Sequence, residues 1–178
     1  MRGLMMDQPL SVAALIVHAE RWHADTTIVS RATEGGFHQS DYATVGHRAR
    51  QLAQALLALG ARPGDRVGTL AWNNHRHLEL YYGTSGIGAI CHTINPRLFP
   101  EQLAYIIDHA ADRWLFVDPT FVPLVRALLP KLAKLEGVVV LCARECMPDD
   151  FAGALCYEDL LAAHDGNYAW PVLDELSA

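Results

Sequence analysis

The four cysteines of this sequence, Cys91, Cys142, Cys146 and Cys156, include no CxxC pair and no spacing that would hold a structural zinc. They read as reduced thiols of a cytosolic protein. A block of lysine and arginine is missing as well: the net charge is −6, with nine histidines. Electrostatic nucleic-acid binding needs a basic stripe, so nucleic acid is set aside as a partner. Long apolar runs are also absent, and none approaches the ~18–20 residues that cross a bilayer. The tract Leu10-Ser11-Val12-Ala13-Ala14-Leu15-Ile16-Val17 is apolar like a signal-peptide core. It is followed by His18, Glu20 and Arg21 and by no small-residue cleavage pattern, so it reads as a first amphipathic helix. The expected location is the cytoplasm, with no transmembrane segment.

What is there is an ordinary globular composition, 51% hydrophobic and 19% charged over 178 residues. A chain of this length can fold as one domain that buries roughly 70% of its unfolded surface. Tyr42, Val45, Ala49, Leu52, Leu56 and Leu59 recur at steps of three and four, one stripe of a helix, with Arg48, Arg50, Gln51 and Gln54 off it. Ser40 or Asp41 can cap its start, and Gly60 can take the left-handed conformation that ends it. Arg62-Pro63-Gly64-Asp65 then makes a turn into a buried strand at residues 67–72.

The alternation continues. Helices are predicted at 75–85, with Leu78, Tyr81, Tyr82 and Ser85 on one face, at 101–110, with Leu103, Ile106, Ile107 and Ala110 inward, and at 121–132. Short apolar strands are predicted at 89–93, 114–117 and 137–141. Residues 27–31 and 37–39 suggest a small N-terminal hairpin. Short apolar strands alternating with helices specify an α/β fold, a parallel sheet of βαβ units with helices on both faces. The chain divides into an N-terminal helix and short strands (1–40), a βα-repeat core (41–142) and an irregular segment (143–178). Within that last segment residues 143–153 read as a loop and 157–163 as a short helix.

Chemistry-bearing motifs are few. Thr84-Ser85-Gly86-Ile87-Gly88 lies after a helix and before a strand, the reverse of a phosphate loop, and has no lysine nearby; it ends a helix. His75 and His77 point to different sides of a helix and cannot share a metal, so they read as a solvated helix start. Asp108, Asp112 and Asp118 read as caps at loops and helix ends. Asn95-Pro96-Arg97 remains. As a plain turn, Pro96 sets φ and Asn95 bonds its own backbone. As a functional loop, it stands at the C-terminal end of a strand, where open α/β sheets bind ligands.

Two tracts, Gly64-Asp65-Arg66-Val67-Gly68-Thr69-Leu70 and His92-Thr93-Ile94-Asn95-Pro96-Arg97-Leu98, are joined by Trp72-Asn73-Asn74, Tyr81-Tyr82-Gly83 and Leu115-Phe116-Val117-Asp118 in a fixed order. In that order and spacing the chain resembles the adenylate-forming, AMP-binding enzymes over roughly residues 10–175, and within them the fatty-acid–CoA ligases (acyl-CoA synthetases). The resemblance implies the N-terminal subdomain of an enzyme that adenylates a carboxylate with ATP and Mg²⁺ and passes the acyl group to CoA. It implies no catalytic residue here, because the family's phosphate loop, acidic Mg²⁺ ligand, ribose-binding Asp and mobile Lys have no match in this sequence. The expectation is therefore a structural part of a ligase, cut before its catalytic motifs. Alone it is expected to be inactive and to bind none of these cofactors tightly. The fatty acid, ATP, CoA and the remainder of the same polypeptide are the implied partners, and a homodimer is allowed. Asn95 and Arg97 are the implied cofactor-binding residues, near CoA, and the loop at 118–121 lies near the same path. Two other readings stay open: an aryl- or other carboxylate–CoA ligase, and a free-standing, non-catalytic α/β binding or assembly module.

Overall fold

A computed structural model of the chain describes residues 3–4 and 8–176. Helix α1, Val12–His23, starts where the Ser11 hydroxyl accepts from Ala14 N. Strands β1, Thr27–Arg31, and β2, Phe37–Asp41, form the expected hairpin, antiparallel, with Thr27 opposite Asp41 and Arg31 opposite Phe37. Helix α2, Tyr42–Ala58, is capped by Asp41, whose Oδ1 accepts from Thr44 N at 2.7 Å. Gly60, at φ 85°, turns the chain out of it. Its predicted stripe is the buried one: Val45, Ala49, Leu52 and Leu56 are all fully buried.

The core alternates as the pattern requires: β3 Arg66–Leu70, α3 His75–Gly86, β4 Ile90–Thr93, α4 Pro100–Ala110, β5 Trp114–Val117, α5 Val122–Leu128, β6 Gly137–Val140, β7 Leu155–Cys156 and α6 Tyr157–Ala162. Short 3₁₀ turns flank α5, so the helix predicted over 121–132 is interrupted at both ends, where Pro119 and Pro130 stand. The sheet is five-stranded and all parallel, in the order β4-β3-β5-β6-β7. Residues 155–156 carry no alternation of their own and belong to a stretch with no strand signal. They become a strand because β6 offers its free edge, Val140 pairing with Cys156.

Alternate strand residues feed two apolar layers. Leu115, Val117, Val138 and Val140 pack with α4 and α5 on one face. Val67, Phe116 and Val139 pack with α2, α3 and α6 on the other. Strands β3, β5 and β6 are thus covered on both sides, as their near-continuous apolar character implies, while the edge strand β4 leaves Ile90 and Thr93 exposed.

Helix α3 corrects the expected face. Tyr81 is 40% exposed, and the buried positions are His75, Arg76, His77, Glu79, Leu80, Gly83, Thr84 and Gly86. Its charges go inward because partners wait there. Glu79 takes a bond from Arg48 Nε at 2.7 Å and from the Tyr157 hydroxyl at 2.7 Å. Arg76 reaches Glu158 at 2.7 Å, Glu34 at 2.6 Å and the Leu141 carbonyl at 3.1 Å. A charge with that many partners can be buried where a lone one cannot. The solvated helix start expected at His75 and His77 is likewise overturned, since the two are 4% and 5% exposed. His75 stacks on His38 of the hairpin at 3.6 Å, and His77 Nε2 lies 3.0 Å from Thr69 Oγ1.

Candidate functional site

From β3 the chain passes through α3 to β4 on one side. From β4 it passes through α4 back across β3 to β5 on the other. Its travel across the sheet therefore reverses between β3 and β5, where the loops leaving the two strands meet and are hydrogen-bonded to each other. Open α/β sheets take ligands at such a point, beyond the carboxyl ends of the strands.

The residues there are Trp72 and Asn74 after β3, and Asp118 and Phe121 after β5. Asp118, expected only as a cap, is fully buried. Its Oδ2 accepts from Trp72 N at 2.6 Å and its Oδ1 from Asn74 Nδ2 at 3.3 Å. The Asn74 Oδ1 in turn accepts from His77 N at 3.1 Å and caps α3. The Trp72 and Phe121 rings lie 5.0 Å apart at 44°, and Trp72 is 40% exposed. Burial pushes the Asp118 carboxyl up to about 6, against the Trp72 N–H and the Asn74 amide, which favour the carboxylate.

Asn95 and Arg97 lie just after β4, an edge strand, one strand away from β3 on the side opposite β5. Ile94 N still bonds the Thr69 carbonyl at 2.9 Å, which ties the loop to the end of β3. Asn95 Oδ1 accepts from Arg97 N at 3.0 Å, an Asx turn, and this turns the guanidinium outward. Among the described residues the exposed Arg97 side chain has no hydrogen bond or ion pair. Asn95 thus builds the turn, as the turn reading expected, and the Arg97 side chain takes no part in it.

Asp112, also expected as a cap, is instead buried against the half-buried His92, whose Nδ1 lies 2.8 Å from Asp112 Oδ2. Burial pushes the Asp112 carboxyl up, opposed by His92 and Arg66. Gly68 makes room for the pair, since a Cβ there would stand 2.9 Å from the Asp112 carboxylate. Among the described residues no group of three or more His, Cys, Asp or Glu could hold a metal ion. The groups that face solvent here are the Trp72 ring and, at the end of β4, the Arg97 guanidinium. Sequence reading took Asp118 as a cap and as the start of a loop near the CoA path and gave Asn74 no role; it read neither as joining the loops after β3 and β5. The available signals were an acid closing an apolar strand before a proline and a paired Asn ahead of a helix.

The AMP-binding enzyme family matches residues 16–159. The chain belongs to that family. Over its whole length it is 49% identical to a 3-methylmercaptopropionyl-CoA ligase of Ruegeria lacuscaerulensis and 43% to a medium-chain-fatty-acid–CoA ligase of Ectopseudomonas oleovorans, covering 33% of each. A long-chain-fatty-acid–CoA ligase of Thermus thermophilus is 42% identical over 88% of the chain and 28% of its own length. The fold superposes on the anthranilate–CoA ligase AuaEII in complex with anthranoyl-AMP with a TM-score of 0.79 at 25% identity, over 96% of this chain and 31% of that one. The chain thus spans about a third of the length of the curated relatives it matches. Like these AMP-binding enzymes it is α/β, and no helix among its described residues is long and apolar enough to cross a membrane.

Proposed function

We propose that this chain is the N-terminal, structural third of a cytoplasmic ATP-dependent fatty-acid–CoA ligase. The observation that carries the reading is end-to-end likeness to CoA ligases at 43–49% identity. In such a reaction a carboxylate oxygen attacks the α-phosphorus of ATP and pyrophosphate leaves. The CoA thiol then attacks the acyl carbonyl of the adenylate and AMP leaves. The described residues offer no carboxylate cluster for Mg²⁺. This chain's part is to build one α/β layer and to present the Asn95–Arg97 turn to CoA. Arg97, exposed and unpaired, offers a charge-assisted bond to a CoA phosphate.

The test uses full-length protein carrying this segment, ATP, Mg²⁺, CoA and a panel of carboxylic acids from short to long chain. 3-Methylmercaptopropionate belongs in the panel because the relative at 49% identity is named for it. Formation of an acyl-CoA with AMP and pyrophosphate is expected from at least one aliphatic acid. No thioester from any of them, or thioester from aryl acids alone, would sink the reading.

A further inference from the structure

The two edges of the five-stranded sheet are unlike. At one, β7 pairs through Leu155 and Cys156 alone, too short a strand to template another. At the other, β4 is as long as β5 and β6 and runs in unbroken register with β3. Ile90 N and Ile94 N bond the Asp65 and Thr69 carbonyls at 2.8 and 2.9 Å. Backbone groups alternate sides along a strand, so the N–H and C=O of Cys91 and Thr93 point away from β3, to the open edge. Strand edges that stay in water are blunted by a lysine, a proline, a bulge or very short length. β4 has no lysine, proline or bulge, and its basic side chain, His92, is turned onto Asp112.

The path of the chain after β7 leads to this edge. Helix α6 packs on the α2 and α3 face of the sheet, with Tyr168 and Trp170 beyond it. The segment between is tied to α2: Gln51 Nε2 donates to the His164 carbonyl at 2.8 Å and Gln54 Oε1 accepts from Gly166 N at 2.8 Å. Leu173, Asp174 and Glu175 then line one open cavity of about 710 Å³ with Gly64, Tyr81, Ile90 and Cys91. Glu175 also accepts from Leu10 N at 2.7 Å. Gly64 and Gly88, on the same cavity, precede β3 and β4, so these residues stand at the amino end of β4. A strand that leaves from there along β4 runs parallel to it. Its crossover from β7 lies on the same face and travels in the same direction as β3–α3–β4, and so has the same hand. Parallel connections take that one hand, the right.

We propose that the open edge of β4 is the docking surface for the polypeptide that follows this segment, which adds there as a sixth parallel strand. Its backbone bonds Cys91 and Thr93, and its apolar side chains fill the cavity beside Tyr81, Ile90 and Leu173. The proposal rests on the ligase reading for the existence of those residues, since the chain covers 33% of the ligases it matches end to end. It adds to that reading where they attach and in which direction.

The test uses the full-length protein. Hydrogen exchange resolved to single amides is expected to show Cys91 and Thr93 exchanging about a hundredfold or more slowly than unpaired amides, at every protein concentration. In Thr93→Pro the ring takes away an N–H that β3 does not use, so an open edge tolerates it and a paired one does not. A lower urea midpoint is therefore expected for that variant; if it does not fold, the wild-type exchange decides. The crystal structure of the same protein is expected to show both amides bonded to a parallel strand of their own chain. Fast exchange at either amide, an unchanged midpoint, an antiparallel strand, or a strand supplied by a second copy would each overturn the proposal. Thioester formation by a protein whose β4 edge is open would refute this proposal and leave the ligase reading standing. A paired edge in a protein that makes no thioester would do the reverse.

Discussion

At the scale of single residues, Arg97 and Asp118 are opposites. Asp118 has every oxygen occupied and lies in the core, whereas Arg97 is exposed with only its backbone engaged. Removing Arg97 should therefore leave the fold alone: the change in stability on Arg97→Ala is expected within about 0.5 kcal/mol. A charge-assisted contact to phosphate is worth roughly 1.5–3 kcal/mol, so losing it should weaken CoA use by about ten- to a hundredfold. The measurement is the CoA dependence of thioester formation in full-length enzyme beside a urea melt of the same variant. An unchanged CoA dependence, or a melt shifted by more than 1 kcal/mol, would make Arg97 a turn residue or an anchor. Asn95 was legible from sequence because its bond is two residues away. Asp118 was not, since its partners enter from the loop of another strand.

At the scale of elements, the helical stripe of α2 and the apolar strands were legible because burial there follows local periodicity. The buried face of α3 was not, because pairing decides it: Arg76 and Glu79 go inward toward Glu158, Arg48 and Tyr157. Strand β7 escaped for a similar reason, two residues having no period. The approach of α2 to α3 is set by Gly83, where a Cβ would lie 2.8 Å from Leu52 Cδ2 and 2.9 Å from the Ala49 carbonyl. Alanine would gain about 1 kcal/mol of helix propensity and lose about 1–3 kcal/mol to overpacking against backbone. Gly83→Ala is accordingly expected to lower stability by about 1 kcal/mol in a denaturant melt, and a stabilised variant would show that the helices can part freely. The hairpin docks on α3 through the His38–His75 stack. Burial, with His38, Arg76 and Arg48 nearby, pushes His75 down to about 3 from its ordinary 6.5. The unfolded chain therefore binds a proton that the fold refuses, and the stability is complete above pH 6.5 and lost as pH falls from there toward 3. By pH 5 the loss should be about 1–2 kcal/mol. Asp118 acts with the opposite sign, its raised carboxyl costing stability as pH rises from 3.8 through about 6. His75→Phe keeps a stacking ring and removes the titration. The wild type should lose more stability than this variant between pH 7.5 and 5, and equal losses would refute the assignment.

At the scale of the whole molecule, the two layers flanking the sheet close over its faces, while apolar side chains stand out around β4 and at both ends of the chain. Phe99 is 73% exposed and Tyr105 67%, and Leu98, Tyr105 and Ile106 line an open groove of about 420 Å³. Leu10 is 71% and Trp22 63% exposed on the first helix and its approach, and Val172 90% near the other end. Single exposed apolar residues are ordinary, but runs of them mark surfaces that meet something. If the chain serves as a third of a ligase, part of this surface is covered by the remainder of that protein. Made on its own, the 178-residue polypeptide should then bind a hydrophobic dye more strongly than a self-contained domain of its size and self-associate as its concentration rises. It should also release no pyrophosphate from ATP with a fatty acid, because no phosphate loop or metal cluster stands among its described residues. Sedimentation across a concentration series, with dye fluorescence on the same samples, checks the first expectation, and a pyrophosphate assay against a no-enzyme control the second. A clean monomer with no dye signal would mean that this surface needs no cover, and would favour a free-standing module. Pyrophosphate release well above the control would show instead that the fold presented here holds adenylation chemistry by itself.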